Sequence, residues 1–215
     1  MFCGLAILAL FSPSADAGGF YLPDADMRQN RSEVVLAAST ATGGSALGLK
    51  GSHDFSDRWS AGFVGGTYDG GLGLGAHVAS AGWRGDWGAV APWLGVGTAT
   101  IEGTLETPGG VLGTALDLGA GPTKLDASLP LVFVSPEESS VGVPLLFSTL
   151  GVSYEVQPDH SVRVGIETLL RWQAGYRYAP DSGWLLLADV GMDIWWGLDA
   201  TSDASFLTVG AGRAF

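Results

Sequence analysis

Few residues in this chain are able to do acid–base or nucleophilic chemistry. Three histidines, His53, His77 and His160, are the side chains suited to general-base work near neutral pH. His53 precedes Asp54 and His160 precedes Ser161, so each sets an imidazole beside a carboxylate or a hydroxyl. A catalytic site needs nucleophile, base and orienting group to converge, and neither pair is joined by a third such group in the sequence. No His/carboxylate cluster has metal-ligand spacing. The Gly73-Leu-Gly75 and Gly95-Val-Gly97 pairs lie inside alternating segments and open no helix, so they do not read as phosphate loops. The expectation is no catalytic residue, no metal and no cofactor.

Cys3 is the single cysteine and lies in an apolar leader, so the rest of the chain has neither a disulfide framework nor a thiolate metal site. It stands too close to Met1 for a lipid-attachment cysteine. The net charge of −12 excludes nucleic acid, which needs a basic surface, and peripheral binding to anionic membranes. Acidic loops and an acidic lumen account for that charge.

The elements that must position these residues follow from composition. Hydrophobic residues make up 47% of the 215 and charged residues 15%, against about 25% charged in an average soluble domain. Yet no stretch approaches the ~18 consecutive apolar residues of a membrane helix. Apolar residues dispersed at every second position suit a membrane β-barrel, and 34 glycines speak against long helices.

Gly4–Phe11 is a short apolar run, and Ala15-Asp-Ala17 offers small residues to a signal peptidase, so 1–17 reads as a signal peptide lacking a basic start. Residues 18–32 are polar and irregular and read as an arm at the barrel mouth or a plug in the lumen. From Glu33 to Phe215 the period is two. Expected strands are Glu33–Ala41, Ser45–Asp54, Trp59–Tyr68, Leu72–Trp83, Trp87–Glu102, Val143–Val156, Ser161–Leu169, Trp172–Tyr178, Trp184–Trp196 and Phe206–Phe215. Between Gly103 and Gly142, Leu112–Leu118 and Leu125–Phe133 alternate, with Leu125, Ala127, Leu129, Leu131 and Phe133 on one face. A structureless loop of that length is implausible, so two more strands are expected. Pro92 implies an edge or bulge within its strand.

The fold class expected is therefore all-β: a closed antiparallel up-and-down transmembrane β-barrel. Twelve strands are favoured; ten, or eight with Trp172–Trp196 projecting as a hairpin, remain open. Trp59, Trp83, Trp87 and Trp184 fall beside turns at one end, and Trp172, Trp195 and Trp196 near the other, as two interfacial girdles would require. The face opposite the apolar one carries Glu155, Arg163, Glu167, Gln173, Arg177, Asp189 and Asp193, a lumen polar network in which Glu155 and Arg163 are expected to pair.

The terminal segment Val209-Gly-Ala-Gly-Arg-Ala-Phe215 resembles the assembly signal of bacterial outer-membrane β-barrels, with Val209, Gly210, Gly212 and Phe215 as its recognisable positions. The Asp54–Ser60 turn resembles turns common in that group. The resemblance implies a bacterial outer-membrane location, with outer-membrane lipids and the barrel-assembly machinery as partners. Gly18-Gly-Phe-Tyr-Leu-Pro-Asp24 and the Gly183–Trp196 strand also resemble the long-chain fatty-acid transporters of the outer membrane. The chain is about half their size and lacks their Asn-Pro-Ala motif. That likeness suggests a small hydrophobic ligand.

Some outer-membrane barrels are proteases or lipid A-modifying enzymes. Neither the histidine–serine spacing of the deacylases nor an Asp-Asp plus His-Asp protease pattern occurs here. Three functions stay open: a structural, adhesive or narrow-channel barrel without catalysis, a passive transporter of hydrophobic molecules plugged by the arm, and a barrel enzyme using His53 or His160. Arg213 departs from the apolar residue usual two places before the end. Arg213→Tyr should raise the folded yield in membranes; an equal or lower yield would refute the assembly-signal reading.

Overall fold

In a lipid environment every backbone N–H and C=O must find a partner within the protein, so a sheet must close on itself. The computed structural model describes Ala25, Met27 and residues 31–41, 44–68, 71–101, 104–105, 108–134, 139–141, 148–167, 171–193 and 205–215. Among these there is no helix, and fifteen strands form one antiparallel sheet system. They are β1 (Ser32–Ala41), β2 (Gly44–Asp54), β3 (Trp59–Tyr68), β4 (Gly71–Ser80), β5 (Trp83–Gly85), β6 (Gly88–Ile101), β7 (Thr104–Leu105) and β8 (Gly109–Ala120). The second half holds β9 (Thr123–Val134), β10 (Ser139–Val141), β11 (Thr149–Gln157), β12 (His160–Glu167), β13 (Arg171–Tyr178), β14 (Trp184–Asp193) and β15 (Ser205–Ala214).

Three of the fifteen, β5, β7 and β10, are pieces of two or three residues; the other twelve pair into a ring. The seam is β1 against β15, from Glu33 opposite Ala214 to Ala41 opposite Phe206. All twelve expected strands are present, the two between 103 and 142 as β8 and β9. β13 and β14 pair into the wall between β12 and β15, so Trp172–Trp196 is no projecting hairpin and the eight- and ten-strand alternatives fall. The signal-peptide residues and most of the arm lie outside the described residues.

Two bulges correct the sequence pattern. Ala79 faces Trp93 while Trp83 faces Val90, so the strand expected over Leu72–Trp83 breaks around Ala81 and Gly82 into β4 and β5. Pro92, which has no N–H to give, sits at that break. On β9 the register slips between Leu112 and Gly113, which face Val132 and Pro130. Leu131 is the extra residue, and each side chain beyond it changes face. Phe133 thus turns inward with Val111, against the expectation that it shares a face with Leu125.

The outer face is apolar around the whole circumference. Leu36, Leu49, Leu74, Leu94, Val152, Val164 and Val209 are exposed, Val164 to 61%. A soluble protein does not leave so continuous an apolar surface in water; a membrane barrel presents it to lipid. The turns 86–87, 121–122 and 158–159 lie at the end that also holds the start of β1 and the end of β15, and the longest connections, 135–148 and 194–204, lie at the other. Short turns belong to the periplasmic side.

Exposed Phe55, Trp59, Trp83, Trp87, Trp184 and Phe215 collect at this turn end, and the rings of Trp83 and Trp87 stand 4.5 Å apart. Trp172 is exposed at the loop end, and Trp195 and Trp196 lie outside the described residues. Gly121, with φ 72°, leads the two-residue turn between β8 and β9 as a primed hairpin turn requires. Gly88 follows the 86–87 turn at φ 152°, where a Cβ would run into the Asp117 carbonyl oxygen. Gly88→Ala should therefore destabilise the barrel by about 1–3 kcal/mol, read as a lower urea midpoint; an unchanged midpoint would show that this hairpin relaxes freely.

Candidate functional site

The lumen is lined by every second residue of twelve strands, and its wall has two characters. On one side Ala79 of β4, Ala89, Ala91 and Trp93 of β6, Val111 and Ala115 of β8 and Phe133 of β9 form a buried apolar cluster. Ala25 and Met27, which precede β1, belong to the same cluster, and Met27 has no exposed surface. This part of the N-terminal arm therefore lies inside the barrel. Arg84 of β5 donates a hydrogen bond to the Met27 carbonyl oxygen and ties the arm to the wall. The indole of Trp93 lies over Gly113, where a Cβ would come 2.5 Å from its ring atoms. A smaller apolar group, Val35, Leu185 and Leu187, faces inward beside the seam.

The rest of the lumen wall carries charges. Arg163 of β12 is buried, and its Nη2 lies 2.6 Å from Asp126 Oδ2 on β9. Arg163 Nε also donates to both carboxylate oxygens at 3.0 and 3.2 Å, and Ser153 Oγ donates to Asp126 Oδ1 at 3.1 Å. The guanidinium reaches Asp126 by crossing β11 over Gly151, where a Cβ would come 2.5 Å from Arg163 Cζ. Glycine at 151 is thus what makes this pair possible. Arg177 of β13 pairs with Glu33 of β1 at 2.6 Å, across the faces of β14 and β15. Lys124 meets Asp117 at 3.6 Å, and Arg31 meets Asp54 at 3.0 Å. Thr208 Oγ1 donates to Ser39 Oγ at 2.9 Å. Lys50 and Asp189 are each buried, with 1% exposure.

The register separates one expected pair. Glu155 faces Ser161, and Ser153 faces Arg163, with an irregularity between Glu155 and Gln157. Glu155 is exposed near the turn, and Arg163 pairs with Asp126 instead. Arg163, Gln173 and Asp189 face the lumen buried, and Arg177 is half-buried there. Glu167 and Asp193 occupy inward register positions on β12 and β14, and their side chains are outside the described ones. Sequence reasoning missed Glu33, Lys50, Asp117 and Lys124 as lumen charges. Asp126 was legible as a polar residue opposite Leu125, but its partner lies 37 positions away, and only the neighbouring of β9 and β11 brings them together.

Gly210 and Gly212, read in the sequence as part of an assembly signal, also have a packing use. A Cβ at Gly210 would lie 2.9 Å from Leu187 Cδ1, and one at Gly212 would strike the Val34 carbonyl. The histidines stand apart from one another. His77 is buried in the lumen wall. His53 Nδ1 lies 2.7 Å from Ser32 Oγ on the outer face near the seam, with Phe55 edge-on to its ring. His160 Nδ1 bonds the Tyr176 hydroxyl at 2.5 Å, its ring close to Tyr178. Among the described residues no group of three or more metal-ligating side chains forms.

The architecture resembles several solved structures. The KdgM porin, solved in complex with disordered oligogalacturonate, matches with a TM-score of 0.65 at 10% identity, over 85% of this chain and 99% of that one. The COG4313 outer membrane channel of Pseudomonas putida F1 matches at 0.57 and 12% identity, over 89% and 97%. The chain has the fold of these outer-membrane β-barrels. The outer membrane phospholipase A of Escherichia coli matches at 0.53 and 9% identity, over 87% and 98%, so channels and an enzyme share this wall. No protein-family model and no curated protein matches the chain.

Arg163 and Asp126 should be energetically coupled. In a double-mutant cycle with Arg163→Met and Asp126→Asn, the coupling expected is about 2 kcal/mol, measured by urea unfolding followed through tryptophan fluorescence. Additive effects would mean that the pair contributes nothing to holding β9, β11 and β12 together.

Proposed function

We propose that this barrel is a narrow channel of the outer membrane whose lumen is occluded, in the state described, by its own N-terminal arm. The observation that carries this reading is Met27, which is fully buried among inward-facing residues of the wall and held there through its carbonyl by Arg84. A mixed charged and apolar lumen is the lining a conduit uses to select what passes. The resemblance to porins and channels supports the same reading.

Further parts of the proposal follow from position. The polar network of Arg163, Gln173, Arg177 and Asp189, with Glu155, Glu167 and Asp193 nearer the strand ends, lines the path. Trp59, Trp83, Trp87 and Trp184 sit at the periplasmic interface, and Trp172 at the outer one. Val209, Gly210, Gly212 and Phe215 are read by the assembly machinery, the segment 1–17 is a removed signal peptide, and 18–32 is the plug. A second reading, passage of small hydrophobic molecules, is favoured by the apolar cluster around Trp93 and Phe133, which a hydrophobic solute would occupy once Met27 leaves it.

Planar-bilayer recording tests the channel. The full chain should conduct rarely; Arg84→Ala should raise its open fraction about tenfold, as loss of ~1.4 kcal/mol of plug binding implies, and deletion of 18–31 should raise it at least as far. Silence from all three folded proteins would sink the reading. Equal conductance from all three would remove the plug while leaving the channel.

A further inference from the structure

We propose that the lumen binds small cations at Asp189, and that the barrel passes potassium-sized ions and small ammonium compounds in preference to anions. This rests on the channel reading above and adds the charge class of what passes. Asp189 projects inward from β14 with 1% exposure, and its Oδ2 has no hydrogen-bond partner. The register sets Arg163, Gly175, Asp189 and Thr208 side by side on β12, β13, β14 and β15. Gly175 has no side chain, so Arg163 and Asp189 are separated by two interstrand spacings, about 10 Å.

The two donors that the register sets in line with Asp189 are turned elsewhere. Arg163 is drawn over Gly151 to Asp126. Thr208 Oγ1 donates to Ser39. Lys50 and Arg163 act on Asp189 through space, and neither is hydrogen-bonded to its Oδ2. Two further lumen cations are in pairs, Arg177 with Glu33 and Lys124 with Asp117. What remains at Oδ2 is a buried carboxylate oxygen beside the bare backbone of Gly175, with no hydrogen-bond donor among the described residues. An ammonium group or a hydrated metal cation is such a donor; an anion is repelled.

Ion selectivity of the full chain in planar bilayers, under a KCl gradient, is the test. The reversal potential should favour potassium over chloride. Asp189→Asn should lower that permeability ratio about threefold, the effect of one unit charge about 6 Å from the ion path in wet surroundings, and Asp189→Glu should keep it. Asp189→Ser should lower it as well and serves if Asp189→Asn does not fold. Chloride preference, no preference, or a ratio unchanged in every folded neutralised variant would overturn the proposal while the channel reading stands. A silent membrane would count against the channel reading and take this proposal with it.

Discussion

The seam between β1 and β15 is the interaction on which everything else depends. Lipid offers no hydrogen-bond partner to an exposed strand edge, so eleven pairings without the twelfth would leave two edges bare. The ladder from Glu33–Ala214 to Ala41–Phe206 is extended at the rim, where Ser32 N donates to Phe215 O at 2.8 Å and Phe215 N donates to Ser32 O at 3.0 Å. Once the ring is closed, the sides of the sheet differ absolutely. The outer side can be apolar across its middle because its solvent is, and there the charged groups are confined to the inside, while outward polar groups such as His53, Ser32 and Arg213 stay at the rim. The charge pairs of the lumen exist because closure gives them a place where ions meet partners instead of hydrocarbon.

Within the ring, long basic side chains and glycines work together. Arg163 reaches over Gly151, and the Arg177–Glu33 pair spans strands whose inward residues include Gly210 and Gly212. A guanidinium lying along the wall crosslinks strands that are not neighbours in the ladder, and it needs a residue without a Cβ beneath it. The apolar wall uses the same device, with Trp93 lying over Gly113. The high glycine content thus reflects clearance for large inward side chains as well as turns.

Strand existence was legible in the sequence because a period of two is a local property, and all twelve barrel strands declared themselves through it. The places where reading failed were bulges. Leu131 reads as one more outward leucine in a continuous alternation, yet it is the residue at which the face changes, and Phe133 follows into the lumen. Nothing local distinguishes it, because the slip is a property of the pairing with β8. The same holds for the site. Arg163 and Asp189 were recognisable as inward charges, but the partner of Arg163 depended on a register irregularity near Gln157 and on a neighbour across a long connection. The interior position of Met27 had no periodic signal, since the arm is irregular.

Met27 inside the barrel has a consequence for the order of events in assembly. The arm runs directly into β1, the strand that forms the closing seam, and the other half of that seam is the last strand of the chain. Glu33 and Ala214 are the full length of the barrel apart in sequence, so their pairing is the most non-local of all and the slowest to nucleate. The arm is attached to the moving edge of the opening that will trap it. The interior contacts of Met27 and the closing ladder therefore share one strand, so whatever displaces the arm pulls on the edge that seals the ring.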